Sequence, residues 1–404
     1  MWVLHTALLL KMIPFRRLLH TRLSRHIFTT AKGSSGIPQR AFAAGVACAA
    51  LTGYAIGVGL PTFFYNEFSA SFPDRSKAFD GPSIQGATQE EMAQAYKLIT
   101  PIAHGGSATV WRAIDVATGR TVAIKVINKT LVNTSTIKRE VDALRRCASC
   151  PHVTSLLAVY DVAGDDVYAE GEWFVVMELA EGGEILEWAQ GHPMFTERVA
   201  SRLMQQAATA LRHLHACGIV HRDVKPENLV LSTKDAEATL KLVDFGAAAC
   251  CDAGAVEGKA GTWTYWAPEQ AKGQPHDKAV DMWGLGVVLC ILLSGRHPFQ
   301  KIFESTRTLD DKGTLEAIVK GQYSLDSQEW SGISESARDL LEQLLVYEPE
   351  KRLSADQLLA HPWVRGQDVP EDPLQWWLNS LSFHRRLRLW GVRGRNGTHQ
   401  PANS

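Results

Sequence analysis

The pattern of apolar and polar residues changes character along the central part of the chain. Short runs rich in β-branched and aromatic residues predict strands at VWRAID, TVAIKVI and EWFVVMEL. Longer stretches with helical spacing follow at 197–216 and 334–346. Because strand-like and helix-like segments occupy separate blocks, the pattern predicts one two-lobed α+β domain over residues 96–364.

The segments before this domain differ from it in amino-acid composition. Residues 41–65 contain no charged side chain, and this length suffices for one membrane-spanning helix. The alternative is that this Ala- and Gly-rich run is part of a long presequence that is removed. Residues 66–95 are polar and include Pro73, Gly81 and Pro82, so they are predicted to form a linker.

The distribution of charge separates the N-terminus from the rest of the chain. No Asp or Glu precedes Glu67, whereas seven Lys and Arg residues do: Lys11, Arg16, Arg17, Arg22, Arg25, Lys32 and Arg40. A basic, Ser- and Leu-rich segment over residues 1–40 is typical of an organelle-targeting presequence. The chain is therefore expected to be membrane-anchored and mitochondrial, with the secretory pathway or a plastid as alternatives.

Overall composition narrows the functional classes. The 404 residues are 45% hydrophobic and 21% charged, with 42 basic and 43 acidic residues and a net charge of −1. This balance is that of a globular protein and gives no reason to expect a nucleic-acid partner. Cys147 and Cys150 form a Cys-x-x-Cys pair without a second pair, so the seven cysteines are expected to be reduced thiols.

Five short motifs follow one another in a fixed order through residues 96–364. They are VAIK at 122–125, KREVDAL at 138–144, HRDVKPENL at 221–229, VDFG at 243–246 and GTWTYWAPE at 261–269. In this order and spacing the chain resembles the eukaryotic protein kinases. The Lys-Pro-Glu sequence within the third motif resembles the serine/threonine type. The resemblance implies a small β-rich N-lobe over 96–179 and a large helical C-lobe over 180–364.

The resemblance also implies roles for individual residues, with ATP and Mg²⁺ as cofactors. Asp223, Lys225 and Thr262 correspond to the catalytic group, and Asn228 and Asp244 to the metal ligands. Lys125 is expected to reach the phosphates and to pair with Glu140. The remaining nucleotide contacts are expected at Ile102, Ala103, His104, Gly105, Gly106, Ser107, Ala108, Thr109, Val110, Ala123, Met177, Glu178, Leu179, Glu184 and Val230.

The loop that covers the phosphates departs from the family pattern. Kinases usually carry Gly-x-Gly-x-x-Gly-x-Val, and here the sequence is AHGGSATV at 103–110. Ala103 and Ala108 replace the first and third glycines, while Gly105 is retained. Because a Cβ hinders close approach of backbone N–H groups to phosphate, weaker nucleotide affinity is expected.

The activation segment also departs from the pattern. Residues 247–260, AAACCDAGAVEGKA, contain no Ser, Thr or Tyr, so no phosphate can form there to bind Arg222. Glu257 could supply a fixed negative charge instead. In the alternative, Glu257 is solvated and Arg222 merely packs. Further structural roles implied by the resemblance are a backbone contact from Asp281 and a buried Arg352–Glu269 ion pair.

Two acidic residues and the C-terminal tail indicate which substrates and partners to expect. MELAEGGE and HPWV resemble the calcium/calmodulin-dependent kinase group, and Glu184 with Glu227 predicts a preference for Arg three residues before the target. Glu184 could alternatively serve only the ATP ribose. Residues 365–404 form a basic, aromatic tail, and 373–395 could bind calmodulin or anionic lipid, or simply pack on the domain.

Two other functions compete with that of an active protein kinase. A pseudokinase would bind nucleotide as a scaffold without phosphoryl transfer, and a small-molecule kinase would use a related fold. The retained Lys125, Asp223, Asn228 and Asp244 argue against the first, and the APE sequence at 267–269 argues against the second.

Overall fold

A computed structural model describes residues 83–374, except 165–170, 193–194, 300–310, 322, 324–329 and 331. These residues belong to a compact unit, Pro73–Ser404, which is distinct from Met1–Phe72. The presequence predicted at 1–40 and the membrane-spanning helix predicted at 41–65 lie outside the described residues. Among the helices that are described, none combines the length and the apolar character needed to span a membrane.

A six-stranded sheet forms the N-lobe. Its strands are β1 (Ser83–Ala87), β2 (Tyr96–His104), β3 (Ala108–Asp115), β4 (Thr121–Asn128), β5 (Leu156–Val162) and β6 (Glu172–Glu178). Their order across the sheet is β1-β5-β6-β4-β3-β2, and every neighbouring pair except β1 and β5 is antiparallel. The strands predicted at VWRAID, TVAIKVI and EWFVVMEL are therefore present as β3, β4 and β6.

The N-terminal edge of this sheet corrects one prediction. A linker was expected over residues 66–95, but 83–95 form strand β1 and helix α1 (Gln89–Ala95). Helix α1 begins with a capping box between Thr88 and Glu91, and Met92 is buried on the sheet. Ala87 and Met92 belong to a buried apolar cluster of the N-lobe. Its other members are Ala113, Val122, Ile124, Ala158, Tyr160, Val162, Phe174 and Val176. The prediction of a linker is wrong for residues 83–95.

Helices form most of the C-lobe. With α2 (Thr134–Arg146) of the N-lobe, they are α3 (Ile185–Gln190), α4 (Glu197–Ala216), α5 (Pro268–Ala271), α6 (Ala279–Ser294), α7 (Asp311–Val319), α8 (Glu335–Leu344) and α9 (Ala355–Ala360). The predicted helices at 197–216 and 334–346 correspond to α4 and α8. Because α6 is apolar on all sides, it runs through the centre of the lobe, where Trp283 is fully buried.

Short strands between the helices position the loops of the C-lobe. β7 (Gly183–Glu184), β9 (Leu229–Leu231) and β10 (Leu240–Leu242) form one sheet in the order β10-β9-β7. β8 (Ile219–Val220) pairs with β11 (Ala249–Cys250). The two small sheets fix both ends of the loop 221–228, which carries the HRDVKPEN sequence. A β-rich N-lobe and a helical C-lobe confirm the two-lobed α+β prediction.

Candidate active site

The catalytic-loop backbone is held by a buried carboxylate. Asp281, near the start of α6, accepts hydrogen bonds from the backbone N–H groups of His221 at 2.9 Å and Arg222 at 2.8 Å. His215 Nε2 donates to the same carboxylate at 2.9 Å. Burial alone would raise the pKa of Asp281, but these donors hold it below its usual value. The predicted structural role of Asp281 is thus observed.

The loop adopts a backbone conformation that side chains other than glycine rarely take. Arg222 has a φ of 64°, and Asp244 in the VDFG sequence has a φ of 60°. Such strain persists only where surrounding contacts determine it. Arg222 is held by the hydrogen bond from its backbone N–H to Asp281. Next to Asp244, the Val243 carbonyl accepts a hydrogen bond from His221 Nε2 at 3.1 Å. These contacts join the two loops that carry the candidate catalytic residues.

Asp223 lies at the centre of a hydrogen-bond network. Lys225 Nζ donates to Asp223 Oδ2 at 2.7 Å and to Thr262 Oγ1 at 2.7 Å. The Thr262 backbone N–H donates to Asp223 Oδ1 at 2.8 Å, and Asn228 Nδ2 donates to Asp223 Oδ2 at 3.1 Å. Asp223, Lys225 and Asn228 are all buried. The structure therefore brings the three residues predicted as catalytic into direct contact.

A second ion-pair cluster joins the lobes. Lys125 on β4 contacts Glu140 on α2 at 2.5 Å and Asp244 at 2.8 Å. The Glu140 side chain is 4% exposed, whereas that of Asp244 is 47% exposed and faces the open side of the cluster. Although burial alone would lower it, the two carboxylates raise the pKa of Lys125. The same lysine holds the pKa of Asp244 well below its usual range, so Asp244 is ionised at neutral pH.

The predicted metal ligands, Asn228 and Asp244, have a donor set that suits Mg²⁺. The backbone N–H of Val243 donates to the Asn228 carbonyl at 2.9 Å, which places Asp244 next to Asn228. Asn228 uses its amide N–H₂ on Asp223, so the side-chain oxygen is left as an acceptor. An amide oxygen and an ionised carboxylate are hard ligands, and Mg²⁺ completes such a site with phosphate oxygens and water. Among the described residues, no group of three or more His, Cys, Asp or Glu side chains is placed to hold a metal ion.

The loop between β2 and β3 tolerates its two alanines. Neither Ala103 nor Ala108 has a positive φ, so neither position demands glycine for its backbone conformation. Gly105 donates its N–H to the Ala108 carbonyl at 2.8 Å, and a Cβ at Gly105 would approach that oxygen to 3.3 Å. At Gly106 a Cβ would meet nothing within 4 Å. Of the two glycines in this loop, the retained Gly105 therefore occupies the tighter position.

The remaining residues predicted to contact the nucleotide lie on the β2–β3 loop, on the neighbouring strands of the N-lobe, and on β7 and β9. Ile102, His104, Thr109 and Val110 lie at the ends of β2 and β3, and Ser107 lies in the turn between them. Thr109 Oγ1 is 3.4 Å from His104 Nδ1. Ala123 pairs with Met177 across β4 and β6, and Glu184 pairs with Val230 across β7 and β9. Leu179 follows β6 directly.

Glu178 uses its side chain for the protein's own structure. Its Oε1 accepts hydrogen bonds from Lys241 Nζ at 2.8 Å and from the backbone N–H of Ser155 at 2.7 Å. These contacts anchor the end of β6 to the C-lobe residue Lys241. A contact from Glu178 to a nucleotide would therefore come from its backbone.

Main-chain contacts hold the activation segment in place. Arg222 donates to the carbonyl oxygens of Ala247 at 2.8 Å and Glu257 at 3.3 Å. Of the two alternatives for Glu257, the structure favours the solvated one: its side chain is exposed, and Arg222 contacts its backbone carbonyl. Val256 and His276 exchange backbone hydrogen bonds at 2.8 and 2.9 Å, which secure the middle of the segment.

Arg146 is a positioning residue that the sequence pattern does not reveal. It lies at the end of α2, forms an ion pair with Asp252 at 2.7 Å and also donates to the Cys217 carbonyl. It thereby links α2, the end of α4 and the start of the activation segment. Its position after Arg145 gives no local signal, because the partners are 71 and 106 residues away.

The end of the activation segment is fixed by the predicted buried ion pair. Arg352 Nη1 lies 2.7 Å from Glu269 Oε1, and the two side chains are 0% and 6% exposed. Arg352 also donates to the carbonyl oxygens of Ala279 at 2.8 Å and Val346 at 3.0 Å. These contacts tie the APE sequence to the beginning of α6.

Comparison with known proteins agrees with the geometry. The family model described as "Protein kinase domain" matches residues 96–364. Calcium-dependent protein kinase 21 of Arabidopsis thaliana is 32% identical over 302 residues, covering 73% of this chain and 54% of the relative. Calcium-dependent protein kinase 19 of the same plant is 32% identical over 298 residues, covering 72% and 51%. The chain spans about half the length of these curated relatives.

These matches confirm the resemblance predicted from the motifs, including the likeness to calcium-regulated kinases. The match covers the residues that hold Asp223, Asp244 and Lys125 in contact with their partners. The chain therefore belongs to the protein kinase family, in its serine/threonine branch.

Proposed function

We propose that the protein transfers the γ-phosphoryl group of ATP to serine or threonine hydroxyls of other proteins. The observation that carries this proposal is the network in which Lys225, Thr262 and Asn228 fix the Asp223 carboxylate. Phosphoryl transfer requires positioning and charge neutralisation more than covalent chemistry, and this network supplies both.

The role of each residue is the one that the resemblance to protein kinases implies, and its geometry supports that role. Asp223 orients the acceptor hydroxyl and accepts its proton, because its carboxylate is fixed by three donors. Lys225, buried beside Asp223, neutralises negative charge that develops near the acceptor. Lys125 and the β2–β3 loop orient phosphates, and Asn228 and Asp244 would hold the metal ion. Bound Mg-ATP supplies the phosphoryl group and the cation that offsets its charge.

Label transfer tests this function and separates it from its main alternative. The full chain is incubated with γ-labelled ATP, Mg²⁺ and a generic protein substrate, and the product is hydrolysed to phosphoamino acids. The proposal expects labelled phosphoserine or phosphothreonine. A pseudokinase would bind the nucleotide, as measured by calorimetry, and transfer no label to protein, which would overturn the proposal.

The first prediction concerns the sequence around the target. Glu227 lies in the 3₁₀ turn Pro226–Asn228, and its Oε2 is buried with no partner among the described residues. An unpaired buried carboxylate oxygen is costly, and a substrate guanidinium would relieve that cost. With Glu184 at the start of α3, Glu227 is expected to favour Arg three residues before the target.

Positional peptide libraries measure this preference. We expect Arg at that position to raise kcat/KM by roughly tenfold, the effect of about 1.4 kcal/mol, and Glu227→Gln to remove most of the gain. Glu237→Gln is the matched control, because Glu237 is exposed and pairs loosely with Arg202 at 3.8 Å. Libraries without enrichment for Arg would rule out this role, and Glu184 would then be left for the ATP ribose.

The second prediction concerns activation. The segment 247–260 lacks hydroxyl side chains, and Arg222 is occupied by the carbonyl oxygens of Ala247 and Glu257. The enzyme should therefore be active as synthesised. Phosphatase treatment is expected to leave its rate within twofold. A larger fall, with the lost phosphate mapped to Thr262 or Thr264 by mass spectrometry, would contradict this expectation.

We further propose that the N-terminal segment anchors the domain to a mitochondrial membrane. The uncharged run 41–65 and the basic segment before it support this proposal. Carbonate extraction of isolated organelles tests it, because an integral protein stays in the pellet. Release of the full-length chain into the supernatant, or its absence from mitochondria, would exclude the anchor proposed here.

We also propose that residues 373–395 bind either calcium-loaded calmodulin, which would relieve inhibition of the domain by the tail, or anionic lipid. Of residues 373–395, the structure describes only 373 and 374. Leu374 is buried and donates its N–H to the Phe195 carbonyl at 2.9 Å. Truncation after Leu374 preserves that packing. Equal rates for truncated and full-length chains, with no response to calmodulin or anionic vesicles, would show that the tail is inert.

A further inference from the structure

The segment 259–266 borders the position that an acceptor hydroxyl must occupy. Gly261 packs so closely on the catalytic loop that a Cβ there would lie 2.2 Å from the Arg222 carbonyl and 3.1 Å from Asp223 Oδ1. The next residue, Thr262, donates its backbone N–H to Asp223. Residues that flank a target hydroxyl bound at Asp223 must therefore pass over this segment.

An aromatic surface with a lysine on its face lies in this segment. Trp266 is partly exposed, and its Nε1 donates to the Ala260 carbonyl at 2.7 Å, which fixes the orientation of the ring. Lys259 Nζ lies 5.6 Å from the centroid of the Trp266 ring. Since two residues span at most about 7 Å, the Lys259 backbone lies within that distance of Gly261.

The Lys259 ammonium has no anionic partner in the part of the chain that the structure describes. It takes part in no ion pair among the described residues, and its side chain is exposed to solvent. Contact with the Trp266 ring limits the rotamers of the lysine, which lowers the entropy lost when it binds an anion. Trp263, in the same segment, is also partly exposed. A fixed cation on an aromatic surface is suited to bind a carboxylate.

We propose that Lys259, held on Trp266, selects substrates with Asp or Glu immediately after the phosphorylated residue. This inference rests on the proposed kinase function and adds a second determinant to the upstream arginine. The upstream residue is bound by the carboxylates of Glu184 and Glu227, and the downstream residue by the Lys259 ammonium. Substrates would therefore combine a basic residue before the target with an acidic one after it.

Matched peptides that differ only in the residue after the target test this proposal. For the wild-type full chain we expect Glu to exceed Gln in kcat/KM by about two- to fivefold, the range of an exposed ion pair. Lys259→Ala should bring this ratio close to one, Lys259→Arg should keep it, and Lys259→Glu should invert it in favour of Lys. The ratio should also shrink at high ionic strength, where exposed charges are screened.

Lys320→Ala is the control for the loss of an exposed lysine elsewhere in the C-lobe, since its side chain is 57% exposed and lies 3.8 Å from Glu316. It should leave the Glu-to-Gln ratio unchanged. A wild-type ratio of one, or a ratio that survives in Lys259→Ala, would overturn the proposal while label transfer itself persists. If no peptide accepts label, the proposed kinase function fails instead, so the two failures are distinguishable.

Discussion

Replacing Lys125 with Met is expected to lower kcat/KM for phosphoryl transfer by about 10²–10³-fold, as removal of one preorganised donor does in other active sites. Lys125 is the cation that contacts both Glu140 and Asp244. Its loss removes the positive charge that orients phosphates and that keeps the pKa of Asp244 low. Steady-state kinetics on a peptide substrate measure the fall.

The same substitution also affects stability, and a second variant separates the two effects. Glu140 is 4% exposed and would be left as a buried carboxylate without its cation, which costs about 3–5 kcal/mol of unfolding free energy. Lys125→Met with Glu140→Gln should recover most of that stability, because the amide is neutral. Activity should stay low in the double variant. Recovery of full activity would show that Lys125 acts only as a structural partner of Glu140.

Replacing Arg352 with Met is expected to destabilise the domain by about 3–5 kcal/mol, the cost of leaving one member of a buried ion pair unpaired. The Glu269 side chain is 6% exposed, and Arg352 supplies its charged partner. Arg352 also lies 5.1 Å from the Trp283 ring centroid, so its loss disturbs the centre of the C-lobe. Denaturant unfolding followed by tryptophan fluorescence measures the change.

The neighbouring Lys351 provides the control for this prediction. Its side chain is 67% exposed and lies 3.6 Å from Glu348, so Lys351→Met should change stability by less than about 0.5 kcal/mol. In the Arg352→Met background, Glu269→Met should restore much of the loss by removing the unpaired charge. Similar stability for the Arg352 and Lys351 variants would contradict a buried ion pair at this position.

The sequence predicts the chemistry of the site because each group there must be of one residue type at a fixed spacing. Asp223, Lys225 and Asn228 lie within six residues of one another, so their contacts are nearly local. The partners Lys125, Glu140 and Asp244 are distant in sequence, and their contact was expected only because the motifs resemble a known family. Spacing alone would not have brought them together.

Other features depend on tertiary contacts that leave no local pattern. Within 87–95, where burial is described, the sequence contributes Ala87 and Met92 to the core, and β1 pairs with β5, about 75 residues further on. The Thr88–Glu91 capping box was the one readable signal for α1. At Glu257 the sequence indicates a carboxylate, whereas the structure uses the carbonyl oxygen, a group that every residue carries.

Asp223→Asn tests whether the Asp223 carboxylate is the group that accepts the proton of the acceptor hydroxyl. Asp223 is 9% exposed, and asparagine keeps its shape while removing the charge that orients and deprotonates the hydroxyl. We predict that kcat for label transfer falls by about 10²–10⁴-fold, while the folded variant binds nucleotide as the wild type does. The unfolding midpoint should also fall, because the buried Lys225 loses its anionic partner. Asp235→Asn, in an exposed loop where the carboxylate accepts only the Glu237 N–H among the described contacts, should keep the wild-type rate. Equal transfer by wild type and Asp223→Asn would contradict the account.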